Sequence, residues 1–169
     1  MGIFRRERVR RTGQGTYRVR LPEPERDLLA SLAEQLRELL TETTDDPTVR
    51  RLFPTAYNED PERDREYQQL VRDELLEGRL AVLATVEATL AADELDELDE
   101  GELTAWLRAL NDVRLVLGTR LDVSEDLRDV DADDPDAPAY AVYEYLGFLL
   151  SEVVDALAAG LPEVPDEPA

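Results

Sequence analysis

The chain holds no cysteine, no histidine and no lysine. Without cysteine there is no disulfide framework, no thiolate metal site and no thiol redox switch. Without histidine the commonest metal ligand and the commonest general base are both missing. All 19 cationic side chains are therefore arginine. That usage fits the codon bias of a GC-rich genome as well as selection for bidentate contacts. No resident cofactor is expected, and no enzyme activity. A carboxylate-only metal enzyme is the remaining catalytic alternative. With 40 Asp and Glu, however, some pair always looks suggestive.

Long apolar runs are also missing. The stretch Leu80 to Ala92 is interrupted by Glu87, and Tyr140 to Ala159 carries Glu144, Glu152 and Asp155. Neither reads as a membrane span. No apolar segment of the signal-peptide kind follows the basic N-terminus. The expectation is a cytoplasmic protein without membrane contact.

What is present is a divided charge. Residues 1–20 hold seven Arg and one Glu, a net of +6, and the other 149 residues carry −27, giving the total of −21. A basic arm is attached to an acidic body, a pattern of interaction modules more than of catalysts. At 169 residues and 43% hydrophobic, the chain can build one core.

The arm reads as a β-hairpin over 1–21. Phe4, Val9, Tyr17 and Val19 are strand formers around the turn Gly13-Gln14-Gly15. This register sets Val9 opposite Val19, Arg10 opposite Arg18, Arg11 opposite Tyr17 and Arg8 opposite Arg20. Arg6, Arg8, Arg10, Arg18 and Arg20 then share one face. Facing like charges are unfavourable, so an anion is expected there. It is either a carboxylate of the body, a nucleic-acid phosphate or a protein partner. These five arginines are the candidate contact residues.

Residues 22–160 read as a four- to five-helix bundle, so the fold class is mainly α with an N-terminal β-hairpin. Helices are expected from Pro22 to Thr41, over the short turn Pro47 to Phe53, from Asp60 to Ala92, from Glu102 to Leu121 and from Pro138 to Ala159. Asp60 before Pro61 is an N-cap signal, and Asp99 with Glu102 forms a capping pair. The run from Leu80 to Ala92 is apolar on nearly every side, which places it at the centre of the bundle. Residues 161–169 read as a disordered tail. Gly78, Gly118 and Gly147 fall inside helices, where close helix approach is the usual reason for glycine. Glu87, set in an apolar run, needs a partner, with Arg79, Arg114 and Arg120 as candidates. Asp129, Asp131 and Asp133 resemble the start of a Ca²⁺ loop. Asp134, Pro135 and Tyr140 then stand where such a loop needs its glycine, its next ligand and its glutamate.

The sixteen residues from Trp106 to Leu121 carry Asn111-Asp112-Val113-Arg114 and Leu117-Gly118-Thr119-Arg120-Leu121. With Leu75-Leu76-Glu77-Gly78-Arg79-Leu80 and Tyr143-Glu144-Tyr145-Leu146-Gly147-Phe148, this run resembles the domain of unknown function 2017 family. That actinobacterial family is also described as AosR-type oxidative-stress transcriptional regulators. The resemblance covers nearly the whole chain and makes Trp106, Asn111, Asp112, Arg114, Gly118 and Arg120 a structural motif. It implies a non-enzymatic regulator acting through protein partners of the transcription machinery, with or without DNA. An adaptor module linked to Clp proteolysis is the alternative. Thiol sensing within this chain is excluded by its composition. Within the motif, Asn111 and Arg114 are expected to be partly buried and joined to carboxylates, Glu87 among them.

Overall fold

The computed structural model describes residues 7–13, 15–42, 46–95, 97–123, 131 and 133–161. The order is β1 (Val9–Thr12), β2 (Thr16–Val19), α1 (Glu23–Glu42), a 3-10 helix (Pro47–Leu52), α2 (Pro61–Ala91), α3 (Glu100–Arg120) and α4 (Ala137–Ala158). The fold is mainly helical with a two-stranded antiparallel hairpin at its N-terminal side, as the sequence patterning indicates. Arg6, Asp129 and the tail beyond Leu161 lie outside the described residues.

The helix starts follow from local chemistry. Asp60 accepts a hydrogen bond from the Arg63 amide, with Pro61 filling the first turn. Asp99 and Glu102 close a reciprocal capping box on α3. Asp46 caps the 3-10 helix through the Thr48 amide and hydroxyl, which holds its carboxyl below the usual range. The C-terminal end of α2 is capped by a distant side chain. Arg26 of α1 donates from Nε to the Leu90 carbonyl at 2.8 Å and from Nη2 to the Ala92 carbonyl.

The central helix is α3, a correction to the expectation that α2 would be. Leu103, Trp106, Leu110 and Val116 of α3 are buried, and α3 packs on α4, α2, α1 and the 3-10 helix. In α2 only Leu83, Val86, Thr89 and Leu90 are buried. Ala81, Ala84 and Ala88 are exposed. An alanine-rich run looks apolar all round, yet methyl side chains are small enough to face water at little cost. Trp106 donates its indole N–H to the Thr89 hydroxyl at 2.8 Å, which satisfies the one polar atom of the largest core residue.

Four further expectations need correction. Glu87 pairs with Arg37 of α1, bidentate at 2.9 and 2.7 Å, and not with Arg79, Arg114 or Arg120. Residue 87 sits on the flank of α2 that α1 covers, so its partner comes from there. Asn111 is exposed, because the buried stripe runs through Asp112 instead. Among the described residues Arg114 pairs with no carboxylate; its guanidinium stacks 4.3 Å above the Tyr143 ring. Gly118 and Gly147 do mark close approach, since an added Cβ would lie 3.1 Å from Tyr143 and 3.2 Å from Arg114. Gly78 does not, having open space around it.

Candidate functional site

Alternation along the hairpin decides how it sits. Val9, Tyr17 and Val19 point to one face and are buried against the body. Arg8, Arg10, Arg18 and Arg20 therefore point to the other. The register is Val9 with Val19, Arg10 with Arg18, Arg11 with Tyr17 and Thr12 with Thr16, as the three-residue turn requires. Arg20 donates its amide to the Arg8 carbonyl at 2.7 Å, extending the pairing by one step.

The far edge of β2 is covered by the acidic segment between α2 and α3. The Tyr17 amide donates to the Leu98 carbonyl and the Leu98 amide to the Tyr17 carbonyl, both at 2.8 Å. The Val19 amide donates to the Leu95 carbonyl at 2.8 Å. Leu95 and Leu98 are buried, whereas Glu94, Glu97 and Asp99 beside them are exposed. Arg18, half-buried, shares a groove with Glu94, Glu97 and Glu102.

Arg8 is held most firmly. Its Nε and Nη2 donate to the two carboxylate oxygens of Glu25 at 3.0 and 2.6 Å. Glu25 also accepts from the Tyr145 hydroxyl at 2.8 Å. Glu152, two turns further along α4, accepts the backbone amides of Arg8 and Val9 at 2.5 and 3.1 Å. Arg11 donates to the Ala159 carbonyl at 3.0 Å, where α4 ends. The bond to Glu25 raises the Arg8 guanidinium above its usual value. The hairpin is thus docked by an apolar face, by a third extended segment and by two carboxylates of the body.

Arg10 and Arg20 are exposed, with no carboxylate partner among the described residues. They and Arg8 stand on one face, but only Arg10 and Arg20 present their charge outward. The motif residues lie elsewhere. Trp106, Asp112 and Gly118 are buried, Arg114 is half-buried, and Asn111 and Arg120 are exposed. Asp112 accepts from Arg79, which also donates to the Leu52 carbonyl at 2.6 Å. That motif builds the α2–α3–α4 junction and does not converge with the hairpin arginines. Among the described residues, no group of three or more acidic side chains is arranged to hold a metal ion. Nor, among the same residues, is any helix long and apolar enough to cross a membrane.

Sequence reasoning missed Glu25, Tyr145 and Glu152 as hairpin anchors. Tyr145 and Glu152 are seven residues apart on a helix, which places them on one face, and that spacing was the available signal. Burial, and then the bond to Glu25, pushes the Tyr145 hydroxyl well above the ordinary tyrosine value of 10.0. The native state then keeps this proton after the unfolded chain has lost it. Stability from this group is complete below about pH 10 and falls as pH rises beyond it. The cost of Tyr145→Phe, read by urea unfolding, is accordingly expected to be larger at pH 9 than at pH 11. An equal cost at both would show that burial and Glu25 do not hold the proton on this hydroxyl.

The profile of a family described as a domain of unknown function, DUF2017, matches residues 4–157. A Mycobacterium leprae protein named "Putative oxidative stress regulator AosR" is 29% identical over 130 residues, covering 68% of this chain and 60% of that protein. The chain therefore spans less than two thirds of that relative's length. No solved structure matches. With the match running from the hairpin through nearly all of α4, the chain belongs to the DUF2017 family.

Proposed function

We propose that this chain is a non-enzymatic regulatory protein that acts on transcription through protein contacts. Its contact surface is the outward face of the docked hairpin, centred on Arg10 and Arg20. One observation carries the reading: the body neutralises Arg8 through Glu25 yet leaves Arg10 and Arg20 exposed beside it. The relationship to a protein named as an oxidative stress regulator supports the regulatory half.

The partner surface that fits is a small acidic patch. Nucleic acid fits less well, because a body of net charge −27 approaches wherever the hairpin does. Within a Debye length of about 8–10 Å it opposes a phosphate backbone. A thiol switch within this chain is excluded, because it has no cysteine to oxidise, so sensing of that kind would belong to a partner.

Affinity capture from host extract, with wild type beside Arg10→Ser/Arg20→Ser, tests this. Components of the transcription machinery should be retained by wild type and lost by the variant, while both melt alike. Retention of Clp components instead would support the adaptor alternative. A steep loss of DNA retention with salt, at a log–log slope near −0.9 per phosphate, would support DNA contact.

A further inference from the structure

The seam between α1 and α3 is open on one side. Leu32, Leu36 and Leu39 of α1 and Val113, Val116 and Leu117 of α3 line a groove of about 310 Å³ there. Leu36 and Val116 are buried, and the other four are half-buried against the core. The charged side chains that line it are Glu38, Glu42 and Arg120. Asp46, which caps the 3-10 helix, lies close enough to Arg120 to feel its charge. Three carboxylates thus stand at or near the rim against one guanidinium, and the rim is acidic on balance.

The hairpin leads to this groove. On α1, Glu25, Leu32 and Leu39 stand seven residues apart, so the flank that holds the Arg8 guanidinium also bears the groove. On α4, Tyr145 reaches the same Glu25, and Glu152 takes the Arg8 and Val9 amides. Arg11 meets the Ala159 carbonyl further on. β1 therefore runs beside α4 in the same direction, and the chain traced back from Arg8 heads for the first turns of α4. Those turns pack on the groove end of α3, where the Tyr143 ring lies over Gly118 and Tyr140 donates its hydroxyl to the Leu121 carbonyl. Strand pairing cannot carry the chain further, because position 6 faces Pro22 in this register, and proline has no amide to donate.

We infer that the segment before the hairpin, Met1-Gly2-Ile3-Phe4-Arg5-Arg6, is the occupant, with Ile3 and Phe4 filling the groove between α1 and α3. These six residues lie outside the described ones. The reach matches: extended chain advances about 3.3 Å per residue, which sets Phe4 and Ile3 about 13–17 Å from Arg8. A helix rises about 1.5 Å per residue, which sets Leu32 and Leu36 about 11–17 Å beyond Glu25. The charge matches as well. The segment brings two Arg and no acid to an acidic rim. Segments 124–130 and 162–169, also outside the described residues, bring three acids with one Arg and three acids with no base. Docked in this way, the segment ties the hairpin to the bundle at one more point and leaves Arg10 and Arg20 facing outward.

Nuclear Overhauser contacts in the full chain, with Leu and Val methyl groups labelled, test it. The Phe4 ring should show contacts to the methyls of Leu32 or Leu36 and to those of Val113 or Leu117. Phe4→Ser should abolish them, move those methyl resonances and leave the Leu149 and Val153 methyls where they are. It should also lower the melting temperature by about 3–6 °C, as loss of one largely buried ring implies. Phe4→Leu, which keeps an apolar side chain, should lose less than half of that. Absence of Phe4 contacts in the wild-type chain would overturn the inference. So would contacts from Leu127 to the same methyls, which would give the groove to the segment after α3. Contacts that fade on dilution would give it to a second copy and overturn the inference equally.

Discussion

Arg79→Met is expected to lower stability by about 3–5 kcal/mol, the usual penalty for leaving one member of a buried ion pair alone. Arg79 reaches from α2 to the Asp112 carboxylate on α3 and to the Leu52 carbonyl of the 3-10 helix. Its guanidinium also lies 5.6 Å from the Phe53 ring centre. Three elements meet on one side chain. The Asp112 side chain is 9% exposed, and burial pushes its carboxyl above the ordinary value in spite of Arg79. The pair is therefore a poor source of net stability, although losing half of it is expensive. For the same reason Asp112 gives its full stabilisation only below about pH 4, losing it as pH rises through the elevated value. Arg79→Met/Asp112→Leu should recover most of the loss, because no charge is then left buried. Urea unfolding of the two single variants and the double variant gives the cycle. A drop below about 1 kcal/mol for Arg79→Met would mean that water reaches Asp112.

Tyr17→Ala should cost about 3–5 kcal/mol, as for other large buried aromatics. Tyr17 is 1% exposed and lies at the middle of β2, between β1 and the segment ending at Leu98. Removing its ring empties the contact that seats the hairpin on the bundle. Glu25 and Glu152 then lose their fixed distance to Arg8. A melt should fall by on the order of 10 °C for a domain of this size. Cooperative unfolding should persist, since α3 and its neighbours keep their own core. Arg10→Ser, at an exposed position of β1, should leave the melt within about 1 °C of wild type, because an exposed substitution changes stability little.

Much of the fold was legible because its determinants are local. The turn around Gly13 and Gly15 fixes the strand register, and Asp60 with Pro61 and Asp99 with Glu102 fix two helix starts. The position of α2 was not legible. Hydropathy counts Ala81, Ala84 and Ala88 with Leu83 and Val86, although only the larger side chains need burial. Ion-pair partners were not legible either. Arg37 finds Glu87, and Arg79 finds Asp112, across tertiary contacts that no sequence spacing encodes. For the candidate site, the sequence indicated that an anion must face the arginine ladder. It did not indicate that Glu25 would take Arg8 alone, because that depends on the docked angle of the hairpin.

The account rests on a hairpin that is a fixed part of the body and not a free basic arm. Amide hydrogen exchange at Tyr17 and Val19 tests this most directly, because both amides donate to the segment between α2 and α3. The prediction is protection close to that of Trp106 and Leu110 in α3, opening only with global unfolding. Exchange as fast as that of the exposed turn at Asn58 would contradict it, and with it the assignment of Arg10 and Arg20 as a preformed contact surface.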